Sequence, residues 1–66
     1  MRDINRIDEF CDKLKEIWMR VPDWRFGQLM INTLGEMSAR GRDPFFPEDS
    51  EMIEFLDDYT AQYSLQ

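Results

Sequence analysis

Two rows of side chains in this 66-residue chain have types and spacing that can do chemistry. The first is Glu51, Glu54 and Asp58. At roughly 100° per residue these three fall within about 60° of one another on a helical wheel. Glu54 and Asp58 repel at i, i+4, and no Lys or Arg follows residue 42 to offset them. Such a row is either a solubilising surface or a docking face for a basic partner. The second row is Arg25, Gln28, Asn32 and Glu36, whose spacing puts all four on one helical face. Gln and Asn can read adenine edges in a major groove, and Arg suits guanine or phosphate. DNA readers surround such a row with phosphate-binding cations. Here Arg40 and Arg42 follow, and then the chain turns acidic.

The other routes to chemistry are poorly supplied. There is no histidine, so histidine-based triads and histidine metal sites are absent. Cys11 has no histidine to deprotonate it, and beside Phe10 it reads as a small packing residue. No Gly-rich phosphate loop is present, and the acids lack the spacing of a calcium loop. The expectation is a non-enzymatic protein with no catalytic residue, no metal and no cofactor.

The elements that must position these rows are helical. Ile4, Ile7, Phe10, Leu14, Ile17 and Val21 recur at three-four spacing, which predicts a helix over about 4–20. Asp3 is its expected cap, and Pro22 bars its continuation. A second helix is expected over about 24–38, capped by Asp23 and stopped by Gly35 or Gly41. Its apolar residues cover most of its circumference, so it is expected in the middle of the fold, with Phe26, Met30, Thr33, Leu34 and Met37 innermost. Gly27 is expected at a close helix–helix contact. A third helix is expected over about 50–62, capped by Asp49 or Ser50, and residues 64–66 are expected to fray. Its inner face is Met52, Phe55, Leu56, Tyr59 and Tyr63. Between the last two helices, Phe45 and Phe46 lie between Pro44 and Pro47 and read as a core plug or a partner-binding feature.

These elements make an all-α, compact three-helix bundle in a single small domain spanning 1–66. Its expected core is Ile7, Phe10, Leu14, Ile17, Phe26, Met30, Leu34, Leu56 and Tyr59. A chain of this size buries only about 60 % of its unfolded surface, so the 42 % hydrophobic content is needed for a core, with homodimerisation as a further support. Net charge is uneven. Residues 1–42 carry +1, whereas residues 43–66 carry seven acids and no Lys or Arg. That asymmetry speaks to partners. With one cysteine, no signal-peptide core and no run of membrane-spanning length, the expected location is the cytoplasm.

Three segments together carry a resemblance: "RIDEFCDKLKEIW" at 6–18, "PDWRFGQLM" at 22–30 and "DPFFPEDSEMIEFL" at 43–56. They resemble small uncharacterised helical proteins of bacteria and their phages, with a Pro-Asp-x-Arg-Phe-Gly-Gln-Leu segment, then Asp-Pro-Phe and an acidic helix. The resemblance implies a compact helical domain with no known enzymatic activity. Trp24 stands where that pattern has a smaller aliphatic residue, which implies a variable, exposed site. The functional expectation is a protein-interaction module that docks Glu51, Glu54 and Asp58 on a partner with a basic surface, such as a nucleic-acid-handling protein. The alternative is a small helix-turn-helix-like DNA-binding regulator using Arg25, Gln28, Asn32 and Glu36. On charge, nucleic acid is the less expected partner, and no membrane contact is expected.

Overall fold

The structure is a computed structural model that describes residues 2–64, the side chain of Ser64 apart. It contains α1 (Asn5–Trp18), α2 (Phe26–Ala39) and α3 (Asp49–Ser64), with no strand among the described residues. The all-α three-helix architecture expected from periodicity is present. The fraying expected at Leu65 and Gln66 lies outside the described residues.

Each helix end has a local cause. Ile4 occupies the cap position of α1, yet the Asp3 carboxylate accepts from the Asn5 amide at 2.9 Å, so Asp3 does the satisfying. The helix stops at Trp18, and tight turns lead into Pro22, with the Val21 amide donating to the Trp18 carbonyl at 2.9 Å. Asp23 does not cap α2. The cap position is Arg25, in extended geometry, and its amide donates to the Gln28 side chain at 2.7 Å. Arg25 has no side-chain acceptor, so only this half of a capping box can form. Gly35 lies inside α2, and Gly41 ends it with φ +82°. The Arg42 amide donates to the Met37 carbonyl and the Gly41 amide to the Ser38 carbonyl, which is the Schellman pattern. α3 starts one residue earlier than expected. The Glu48 amide donates to the Glu51 side chain at 3.4 Å while its carbonyl accepts from Met52.

The core sits around α3. Both other helices pack on it, whereas α1 and α2 meet only lightly. The expectation that α2 is the sandwiched helix is therefore wrong. Its inner stripe is Leu29, Thr33 and Met37, each 0 % exposed, at an i, i+4, i+8 spacing. Phe26, expected innermost, is exposed, while Met30 and Leu34 are half-buried. Thr33 can sit in this stripe because its hydroxyl donates to the Leu29 carbonyl at 2.6 Å. α3 contributes Phe55, Leu56 and Thr60, and the Thr60 hydroxyl donates to the Leu56 carbonyl at 2.8 Å. α1 contributes Ile17, and the turn after it contributes Val21.

Several further placements differ from the sequence reading. Ile7 is exposed, and Phe10, Leu14 and Tyr59 are half-buried. Gly27 has nothing within 4 Å of the position a Cβ would take, so it marks no close contact. Cys11 is exposed rather than packed. Trp24 is half-buried, with its ring 5.1 Å from Tyr63 and 6.4 Å from Tyr59, so the site is not an exposed one. The Trp18 indole N–H donates to the Trp24 carbonyl at 2.8 Å, tying the end of α1 to the turn before α2.

Candidate interaction surface

α3 places Glu51, Glu54 and Asp58 along one exposed edge, as their spacing requires. They line a shared open groove of ≈ 340 Å³, together with Phe55 and two arginines from the end of α2, Arg40 and Arg42. Arg42 reaches Glu51 at 3.5 Å. Arg40 bonds Glu36 at 3.0 Å and holds its guanidinium 5.2 Å from the centre of the Phe55 ring. Glu54 and Asp58 make no ion pair among the described residues. The row is thus a carboxylate edge facing two partly engaged guanidinium groups.

The wider acidic third has an internal use that the sequence hides. Arg2 pairs with Glu48, Arg6 with Asp49 and Arg20 with Asp57, so α1 and its lead-in supply cations to α3 and its lead-in. With Arg42–Glu51, four of the seven acids after residue 42 are paired to arginines that precede them in the chain. The Arg2 hydrogen bond and positive charge hold the Glu48 carboxyl below its ordinary value. Asp57 and Asp58 also escape the unfavourable end of the helix dipole, because α3 runs on to Ser64.

Beside the acidic edge stands an aromatic knob. Phe45 and Phe46 are 84 % and 74 % exposed, so neither plugs the core. Their rings meet edge to face, with centroids 5.1 Å apart. The loop beneath them is pinned at Asp43. Its carboxylate accepts from the Phe45 amide at 2.9 Å and its carbonyl from the Phe46 amide at 3.2 Å. Phe46 lines a second hollow with Arg42, Asp43, Pro47 and Glu51, so knob and acidic edge are continuous through Arg42 and Glu51. Sequence reading favours a core plug for the two phenylalanines over a partner-binding feature, and the structure turns both outward. The two flanking prolines and Asp43 are the signal for a stiff turn.

The second row lies at the start and along the outer side of α2, with Arg25, Gln28 and Asn32 exposed. Arg25 caps α2 with its backbone, Gln28 accepts from that backbone, and Glu36 is tied to Arg40. Asn32 is exposed, and Gly27 beside the row has open space around it. No group of His, Cys, Asp and Glu among the described residues is arranged to hold a metal ion. No helix among them is long and apolar enough to cross a membrane.

Fold and surface together define a small all-α domain with an aromatic knob on an acidic edge. No protein-family model matches the chain, and neither a curated protein nor a solved structure matches it.

Proposed function

We propose that this chain is a non-catalytic interaction module that docks the acidic edge of α3 on a protein partner with a basic surface. Glu51, Glu54 and Asp58 steer and orient the encounter, and the Phe45–Phe46 knob enters an apolar slot beside the basic groups. The observation that carries this reading is the knob. Two aromatic side chains are held mostly in solvent on a turn that is already ordered, so little entropy is lost when they are buried. Exposed charges beside such an anchor act mainly on encounter rate and specificity. An adaptor or inhibitor of phage or bacterial type, acting on a nucleic-acid-handling protein, fits this chemistry. The helix-turn-helix alternative receives less support, because two of its four side chains, Gln28 and Glu36, are engaged within α2 or at its start.

The test compares the native chain with two variants in capture from host lysate, followed by association kinetics with the recovered partner. Phe45→Ala with Phe46→Ala should abolish capture while leaving the helical signal intact. Glu54→Gln with Asp58→Gln should slow association and flatten its salt dependence. Capture of the same partner by all three proteins, at equal rates, overturns the proposal.

A further inference from the structure

α1 carries two apolar faces, and only one is used by the fold. Phe10 and Ile17, with Arg6, Lys13 and Arg20 around them, line the hollows shared with α3. The second face runs Ile4, Ile7, Cys11, Leu14 and Trp18. Its steps of three, four, three and four residues are the spacing of a coiled-coil seam. At roughly 100° per residue it is centred about 120° from the face on α3. Ile4 lies just ahead of the helix but has helical dihedrals, φ −64° and ψ −25°, so it belongs to the same row.

This seam has no helix lying along it. Ile4 is 76 % exposed, Ile7 is 49 % exposed, and Cys11 is exposed. At its far end Trp18 touches Phe26, with ring centroids 5.8 Å apart. There the seam opens into a groove of ≈ 450 Å³ lined by Cys11, Leu14, Lys15, Trp18, Met19 and Pro22. The groove is mostly apolar and the exposed isoleucines lie at the other end of the same helix. One end is therefore a row of knobs and the other a receiving hollow.

We propose that this seam binds the same seam of a second copy of the chain, with the two α1 helices antiparallel. In that arrangement Trp18 layers on Ile7 of the second copy and Leu14 on its Cys11, and the twofold axis repeats both contacts. Ile4 then enters the end of the groove near Met19 and Pro22. The flanking charges select this direction. Asp8 and Lys15 occupy equivalent positions beside the seam, one heptad apart. Antiparallel pairing places Asp8 of each copy beside Lys15 of the other. Parallel pairing places Asp3 beside Asp8 of the other copy, a meeting of like charges. Both Asp8 and Lys15 are exposed and neither makes an ion pair among the described residues, so both are available. The contact is self-complementary and closes at two copies. It shares no residue with the acidic edge or the aromatic knob, so it stands whether or not the proposed docking does.

Sedimentation of the purified chain from about 1 μM to about 1 mM tests the pairing. The native chain should pass from monomer to dimer with rising concentration. Asp8→Lys and Lys15→Asp should each weaken the dimer by about tenfold, because two attractions become two repulsions. Circular dichroism on each variant checks that α1 remains folded. An equimolar mixture of the two variants should recover the dimer, since each supplies the charge the other lacks. Native chain that stays monomeric throughout overturns the proposal and leaves the seam to a helix of another protein. A mixture no better than the separate variants overturns the antiparallel arrangement.

Discussion

The contact of α2 with α3 and the contact of α1 with α3 are built from different materials. On the α2 side, Leu29, Thr33 and Met37 are wholly buried, and the hydroxyl of Thr33 is satisfied within its own helix. On the α1 side the helix itself buries only Ile17, with Val21 following, and charged pairs flank them: Arg6–Asp49 and Arg20–Asp57, with Arg2–Glu48 just ahead of both helices. A dry stripe depends on shape and area. A rim of exposed ion pairs contributes little stability, responds to salt and pH, and chiefly chooses orientation. The comparison teaches that the α2 contact rests on buried side chains, whereas the α1 contact carries a charged rim that solution conditions can tune.

The strongest way to break that contrast is at its centre. Leu29→Ala should cost on the order of 2–5 kcal/mol, a large part of the stability of so small a domain, read from urea unfolding. Ile17→Ala should fall at the lower end of the same range, because the surroundings of Ile17 are half-open and can collapse around the gap. A larger loss at Ile17 than at Leu29 would reverse the ranking of the two contacts.

The end of α2 sharpens it next. Gly41→Ala should destabilise by about 1–2 kcal/mol, because φ of +82° suits glycine and the helix stop depends on it. Gly35→Ala should stabilise by about 0.5–1 kcal/mol, since that position is mid-helix with open space around it. Thermal melts of the two variants should move in opposite directions.

Smaller effects come from titration. The Glu48 carboxyl has its folded value lowered by Arg2, so its contribution is present above the ordinary carboxylate range. That contribution is lost as pH falls through the folded value. Arg2→Gln should therefore melt slightly below the native chain at neutral pH and alike in acid, and a difference that persists in acid would contradict the pairing. At the other extreme, the hydrogen bond from Tyr63 and partial burial push the Tyr59 hydroxyl up to about 12. A raised value gives stability that is present below the unfolded value and lost as pH rises through the folded one. Tyrosinate absorbance should show one residue ionising well after free tyrosine, and the delay should vanish on unfolding.

Helix number, order and approximate bounds were legible in the sequence. Pro22, Gly41 and the acids before α3 punctuate the chain, and the three-four spacing between them is strong. Which side of α2 faces inward was not legible, because apolar residues surround it and periodicity cannot choose between Leu29–Thr33–Met37 and Phe26–Met30–Leu34. One of the two buried threonines adds to the error. Spacing puts Thr33 among the inner residues but gives no such sign for Thr60, and so hides the central position of α3. A hydroxyl that bonds four residues back counts as polar in a sequence and as filled space in a core. For the candidate surface, spacing found the row Glu51, Glu54 and Asp58. The arginines that face it come from another element, so no local pattern could assign them.

The helix on which both others pack is also the last of the three to be synthesised. When a ribosome has made residues up to Arg42, neither α1 nor α2 has the surface that shelters Ile17, Leu29 or Met37. Helices of 14 residues are marginal in water by themselves. The nascent chain therefore stays open to proteases and holding chaperones until α3 clears the exit tunnel, and the whole domain closes in one late step.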